Sequence, residues 1–110
     1  MKKIFLKDFK RGWVIGNFEP TLLKTNDIEV AIQTYKSGDE QLRHYHKIGT
    51  EISIIILGSA SFNNLILNEH EGLIIYPNEL NKFKALTDCK ILVIKYPSIT
   101  NDKYLVDDID

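Results

Sequence analysis

Short apolar segments separated by turn residues run through most of this chain, and they restrict its fold more than any other feature. The stretch "IEVAIQTY" (28–35) alternates between two faces, which is the period of a β-strand. Further predicted strands are "EISIIIL" (51–57), "GLIIY" (72–76), "NKFKA" (81–85) and "KILVIKY" (90–96). The stretch "ASFNNLIL" (60–67) predicts a hairpin, because two asparagines can adopt the positive φ angles of a tight turn. Since no stretch carries a helical stripe, the chain is predicted to be all-β, a sandwich or small barrel.

Size and charge narrow the class of protein. The chain has 110 residues, enough for one domain, and is 44% hydrophobic and 26% charged. Its formal net charge of -1 gives no electrostatic reason to expect nucleic acid or an anionic membrane as a partner. No apolar run approaches transmembrane length, and the single cysteine, Cys89, excludes an internal disulfide. We therefore expect a cytoplasmic protein.

The most specific pattern is a pair of histidines one residue apart, followed five residues later by a glutamate. His44 and His46 point to the same face of an extended chain. Gly49 lies in the turn "KIGT", so we expect a hairpin that brings Glu51 across from the histidines. Two imidazoles and one carboxylate are a ligand set for a first-row divalent metal, with positions left open for water or substrate.

With the glycines at both ends, the pattern reads G-x5-H-x-H-x4-E-x6-G from Gly38 to Gly58. At every motif position it resembles the first motif of the cupin superfamily. The resemblance implies a small jelly-roll barrel, the double-stranded β-helix, in which both histidines and the glutamate bind a metal inside. We expect a single cupin domain over residues 1–110, with the core barrel at about 28–96 and an N-terminal strand segment at 1–27.

A second motif of the same family is matched with one change. It resembles "GLIIYPNELNKFKA" (72–85), where Pro77 begins the turn and Phe83 is the aromatic residue. The family's third metal-binding histidine falls on Asn81. An amide oxygen is a weak, hard ligand compared with imidazole, so Asn81 either completes the site or is only a turn residue. The identity of the metal, whether Fe, Mn, Ni or Zn, stays open.

Other residues are expected to line the pocket or to carry chemistry. Gln33 and Tyr35 lie on the polar face of their strand, Ser53 shares a face with Glu51, and Phe83 is expected to point inward. The candidate catalytic residues are Tyr35, His44 and His46. A homodimer is also expected, with an apolar edge contact from "RGWVIGNF" (11–18).

Three functions fit these residues, and whether the protein is an enzyme stays open. The first is a metal-dependent dioxygenase or isomerase acting on a small molecule. The second is a non-catalytic module that binds a small molecule or sugar without tight metal, which the missing third histidine favours. The third is a metal-free sugar-nucleotide isomerase or epimerase, with His44 or His46 as base and Tyr35 as acid. The cations expected near a bound nucleotide are Lys36, Arg43, Lys82 and Lys84.

Overall fold

A computed structural model describes residues 1–107; the last three residues of the predicted domain lie outside the described part. The regular secondary structure of the described chain is almost entirely β-strand. Its strands are β1 (Trp13–Ile15), β2 (Glu29–Tyr35), β3 (His44–Tyr45), β4 (Thr50–Leu57), β5 (Ala60–Phe62), β6 (Leu65–Leu67), β7 (Gly72–Ile75), β8 (Phe83–Ala85), β9 (Cys89–Tyr96) and β10 (Tyr104–Leu105). Two 3₁₀ turns precede them, Leu6–Asp8 and Lys10–Gly12. No helix within residues 1–107 is long and apolar enough to cross a membrane.

The strands form two antiparallel layers. One layer is a five-stranded sheet in the order β1-β2-β9-β4-β7. The other consists of a three-stranded sheet, β6-β5-β8, and the pair β10-β3. Isolated bridges between Glu40 and Lys84 and between His44 and Asn81 join these two pieces along the β8 side. Neighbouring strands are mostly distant in sequence, which is the connectivity of a jelly roll, and the all-β prediction is confirmed.

The predicted turns have a clear backbone basis. Asn63 and Asn64, with φ of 50° and 69°, form the two-residue turn of the β5–β6 hairpin. Both angles are positive, as a tight primed turn requires. Gly58 ends β4 at φ 81°, where a Cβ atom would run into the carbonyl oxygen of Asp88. The residue types at these turns therefore fix where the strands end.

The core lies between the two layers. On β4 the side chains alternate, with Ser53 and Ile55 buried and Ile54 and Ile56 exposed. Across the sheet, Ile55 pairs in register with Ile91 of β9. Phe62 and Phe83 pack edge to face on the opposite layer, with ring centroids 5.2 Å apart. The remaining buried hydrophobic residues of this core are Ala31, Ala60, Leu67, Ile75, Ala85, Cys89 and Val93.

One local prediction is wrong. The histidine segment and the glutamate strand do not form a hairpin, because β3 pairs with β10 whereas β4 pairs with β7 and β9. The chain crosses from one layer to the other between His46 and Thr50. His44 and Glu51 therefore face each other across the interior of the sandwich, on different sheets.

Candidate metal centre

The interior changes from apolar to polar along the strands. Counted across β2, β9 and β4, one inward row consists of Gln33, Ile91 and Ile55, and the row at the opposite end consists of Glu29, Lys95 and Glu51. The row between them is Ala31, Val93 and Ser53. Three charged side chains thus share the inward face at one end of the five-stranded sheet. The candidate site lies at this end.

His44 is held in one tautomer by the backbone. Its ring is buried, and Nδ1 lies 2.9 Å from the carbonyl oxygen of Leu42. Because a carbonyl only accepts, Nδ1 carries the proton and Nε2 keeps a free lone pair. Burial lowers the pKa of His44 below its ordinary value, so the ring is neutral at neutral pH. A neutral imidazole with a free Nε2 is the form that binds a metal.

His46 provides a second buried imidazole, and one of its ring nitrogens lacks a hydrogen-bond partner. Its ring lies at 79° to that of His44, with centroids 5.2 Å apart. Burial, followed by the charge of Lys95, lowers the pKa of His46 to about 4. Its Nε2 atom is fully buried and has no hydrogen-bond partner. Leaving a buried ring nitrogen unpaired costs about 1–3 kcal/mol.

Asn81 lies against the histidine segment. Its backbone N–H donates to the oxygen of His44 at 2.7 Å, and the His44 N–H donates to the oxygen of Asn81 at 3.0 Å. The side chain is 4% exposed, and its Oδ1 atom has no hydrogen-bond partner. The turn itself is closed earlier, where the Glu79 N–H donates to the oxygen of Tyr76. Asn81 is therefore a buried residue paired with β3, and its amide oxygen is unsatisfied.

Glu51 completes the predicted set from the opposite layer. Its carboxylate is buried, and Oε2 accepts a hydrogen bond of 3.0 Å from the Ser53 hydroxyl. Burial raises the pKa of Glu51, while the charge of Lys95 acts in the opposite direction. Within residues 1–107, no three His, Cys, Asp or Glu side chains are arranged as a ready-made metal cluster. The donor atoms are present on both layers, and gathering them on one ion requires side-chain rotation.

The sequence patterns missed one buried carboxylate that shapes the site. Asp102 accepts hydrogen bonds from the backbone N–H groups of Lys47, Ile48 and Gly49, at 2.8–3.2 Å. These three residues form the crossing between His46 and β4. A Cβ atom on Gly49 would lie 3.3 Å from Asp102 Oδ2, tighter than ordinary contact. Asp102 sits far along the chain, in a loop without a motif, so no local sequence signal identifies it.

The four donor residues open into one cavity of about 610 Å³. The predicted pocket residues Gln33, Tyr35, Ser53 and Phe83 all line it. The Tyr35 hydroxyl donates to Gln33 Oε1 and accepts from the Gln41 amide, each at 2.7 Å. Burial raises the pKa of Tyr35 to about 12, so the phenol is protonated at neutral pH. A cavity of this size accommodates a small metabolite.

The cations around this cavity are not those expected from the sequence. None of Lys36, Arg43, Lys82 and Lys84 is among its lining residues. In their place, the cavity is lined by Lys10, Arg11, Lys95 and Lys103. The basic rim required by a sugar-nucleotide isomerase was therefore wrongly located. Tyr35, its expected acid, is held by two glutamines.

Comparison with known proteins identifies the fold. No protein-family model matches the sequence, and no curated protein matches it. Among solved structures, an uncharacterised double-stranded β-helix protein from Klebsiella pneumoniae superposes with a TM-score of 0.67 at 20% identity, over 76% of this chain and 74% of that one. A cupin-2 domain protein from Shewanella frigidimarina gives 0.54 at 24% identity, over 64% and 71%. The pirin YhhW from Escherichia coli, solved with nickel(II), gives 0.69 at 14% identity, over 80% of this chain but 39% of its own length.

These neighbours confirm the fold that the resemblance of the sequence motif implied. The chain has the double-stranded β-helix fold of the cupin superfamily. At these identities the likeness extends to the fold alone, and the site is assigned from its own residues.

Proposed function

We propose that the protein binds a divalent metal ion through His44, His46 and Glu51, with Asn81 as a weak fourth ligand, and that a small molecule occupies the cavity beside it. One observation carries this proposal. Among the described residues, the two buried side-chain atoms without a hydrogen-bond partner are His46 Nε2 and Asn81 Oδ1. Both belong to residues at ligand positions. A cation would satisfy a nitrogen and an oxygen lone pair at once, whereas a single water donates to both only where space allows.

The donor set fits a first-row divalent ion, Fe, Mn, Ni or Zn. When bound, such an ion would polarise an oxygen atom of the small molecule as a Lewis acid. The chain's own residues prepare the site: Leu42 fixes the His44 tautomer, Ser53 orients the Glu51 carboxylate, and Asp102 holds the crossing between the layers. Tyr35 stays protonated, and its hydroxyl is hydrogen-bonded to Gln33 and Gln41 in the wall of the cavity.

Whether chemistry follows binding divides two versions of this proposal. A dioxygenase or isomerase would turn over a small substrate only with metal present. A binding module would hold its ligand without turnover, and Asn81 at the position of the third metal-binding histidine favours it. Turnover of any member of a metabolite panel, lost on chelation and restored by metal, distinguishes the enzyme from the module. Cytoplasmic location and the absence of nucleic-acid or membrane partners stay predictions from the sequence.

Metal binding is tested by elemental analysis of the untagged protein. Wild type is expected to retain near-stoichiometric metal, and His46→Ala is expected to lose it. His70→Asn is the matched control, because His70 is exposed at φ 68° in a turn, a backbone angle that asparagine tolerates. Wild type without metal after growth and reconstitution in each of the four ions would overturn the proposal. Asn81→His then shows whether a third imidazole restores binding.

We also propose a homodimer, through a different surface from the one expected. The outer edge of β1 is covered by its own chain, since Leu22 donates to the oxygen of Val14 and Gly16 donates to the oxygen of Leu23. In contrast, the outward face of the five-stranded sheet is apolar across β2, β9, β4 and β7. Its side chains include Val30, Ile32, Ile52, Ile54, Ile74, Leu92 and Ile94. Light scattering that gives a monomer for wild type would overturn the dimer, and Ile54→Lys is expected to dissociate it.

A further inference from the structure

The candidate site faces a lysine that points into the sandwich. Lys95 shares the inward face of β9 with the buried residues Ile91 and Val93. Its register partners on both sides are acidic, Glu29 on β2 and Glu51 on β4. Neither carboxylate lies within 4.0 Å of its ammonium group, which instead stands 5.1 Å from the ring centroid of Trp13. Lys95 is thus a half-buried, inward-facing cation that lies over an aromatic ring, with no carboxylate of the described residues within ion-pair distance.

The acids of the cavity are engaged elsewhere. Glu19 pairs with Lys24 at 3.5 Å, and Glu29 accepts a hydrogen bond of 3.0 Å from the Ser98 hydroxyl. Glu51 accepts from Ser53, and Asp102 accepts from three backbone N–H groups of the layer crossing. Every carboxylate that lines the cavity therefore has a partner other than its cations.

The cations of the cavity have no such partners. Across residues 1–107, none of Lys10, Arg11, Lys95 and Lys103 makes an ion pair within 4.0 Å. Partial burial, followed by the charges of Lys95 and Arg11, lowers the pKa of Lys103, whereas Glu51 raises it. Lys103 is thus repelled by both Lys95 and Arg11, and all three cations line one cavity. An anion placed between them would relieve that repulsion.

Backbone geometry fixes the position of Arg11, one of these three cations. Arg11 lies in the left-handed region at φ 50°, an angle that a residue of its size rarely adopts. The next residue, Gly12, approaches β2 so closely that a Cβ atom would run into the carbonyl oxygen of Ile32. The 3₁₀ turn is therefore seated directly on β2. This contact holds the Arg11 backbone beside the cavity.

We propose that Lys95, together with Lys103 and Arg11, forms an anion subsite in this cavity, so that the natural ligand is a small molecule carrying a carboxylate or phosphate group. The inference rests on the proposed function in taking the cavity as the ligand site. The charged group of the ligand binds at the cations, and the rest of it reaches toward His44, His46 and Asn81. A neutral sugar lacks the group that this subsite recognises. Lysine and arginine bind both kinds of oxyanion, so the probes must separate them.

The single tryptophan provides a direct readout. Trp13 is the chain's one tryptophan, and the Lys95 ammonium lies over its ring. An anion that draws Lys95 off the ring changes the indole emission. Succinate, citrate, inorganic phosphate and glucose 6-phosphate are titrated into chelator-treated protein, with glucose as the neutral control. At least one anion, and not glucose, is expected to change the emission, with an affinity that falls as salt is added.

Substitutions separate the subsite from the metal. Lys95→Met is expected to weaken the bound anion about tenfold or more, as for loss of a partly buried charged partner. Lys90→Met is the control, because Lys90 lies on the same strand but is exposed. If Lys95→Met proves unfolded by circular dichroism, Lys103→Gln replaces it, with the same direction expected. Calorimetry repeats each titration, since the substitution itself alters the emission.

The outcomes distinguish this inference from the metal proposal. Anion binding that survives in His46→Ala but is lost in Lys95→Met supports the subsite, whether or not wild type contains metal. Metal content that is unchanged in Lys95→Met shows that the two sites are separate. Two results would overturn the subsite: no anion of the panel binding at low millimolar concentration to either metal-free or metal-loaded protein, or equal affinities for Lys95→Met and Lys90→Met.

Discussion

The two ends of the sandwich interior are built from the same strands but have opposite effects on the stability of the fold. At one end, Ile55 and Ile91 pack with Phe62 and Phe83 in the hydrophobic core. At the other end, Glu51 and its register partner Lys95 occupy the same faces of β4 and β9, only four residues away along each strand. The apolar end contributes hydrophobic free energy, whereas the polar end buries charge and unpaired atoms, which costs stability. The stability contributed by the apolar end therefore offsets the cost of the polar end, where the metal and the ligand are proposed to bind.

The largest stability effect is expected at the apolar end. Ile91→Ala removes a buried side chain that is 2% exposed, so we expect a loss of about 3 kcal/mol in the free energy of unfolding. Urea denaturation measures it. Ile66→Ala, which shortens an exposed side chain of β6, is the control and is expected to cost less. Equal losses for the two variants would show that the inward face is not the core.

Asp102 holds the crossing between the two layers, and its loss is expected to have the second-largest effect on stability. Asp102→Ala leaves the three N–H groups of the crossing without their shared acceptor, so we expect a loss of about 2 kcal/mol. Metal affinity is expected to fall about tenfold as well, because the crossing positions His46 against Glu51. Asp107→Ala, an exposed acid, is the control. A destabilised variant that binds metal as tightly as wild type would show that Asp102 serves folding alone.

A smaller loss of stability is expected from substitution of Tyr35, which lies where the polar cavity meets the core. Tyr35→Phe removes a hydroxyl bonded to Gln33 and Gln41 and is expected to cost about 1 kcal/mol. Because burial raises the folded pKa to about 12, this tyrosine favours the folded state below pH 10, and its contribution falls as pH rises toward 12. Ultraviolet titration of wild type minus variant is expected to show ionisation near pH 12. Ionisation at an ordinary tyrosine pKa would contradict the buried hydrogen-bonded phenol.

Substitution of Glu51 is expected to have the smallest effect on stability. It is also expected to have the largest effect on metal affinity. Burial raises the Glu51 pKa, so this group supports folding at low pH and does so less as pH rises through the carboxyl range. In metal-free protein, Glu51→Gln is therefore expected to be as stable as wild type at neutral pH, or slightly more stable. Its metal affinity is expected to fall about a hundredfold. If Glu51→Gln were strongly destabilised, Glu51 would stabilise the fold as the residues of the apolar end do, which would contradict this assignment.

The sequence predicted what depends on local spacing. Alternation gave the strands, two asparagines gave the β5–β6 turn, and the histidine spacing resembled that of a family with the fold observed. Pairing partners are set by long-range register, and this is why the expected hairpin between His44 and Glu51 was wrong. Asp102 and Lys95 were missed for a related reason. An acid in a loop and a lysine within an apolar strand look solvated in the sequence, and only the folded register places them at the cavity.

The metal-site proposal places one ion between the two layers, bound by His44, His46 and Asn81 on one layer and by Glu51 on the other. An anomalous difference map, from a crystal of the protein reconstituted with zinc and measured at the zinc edge, tests it most directly. We expect one strong peak at about 2.0–2.1 Å from His44 Nε2 and His46 Nε2, with oxygen atoms of Glu51 and Asn81 at about 2.0–2.2 Å. A map with no peak between the layers, or with zinc only at the exposed His70, would contradict the account.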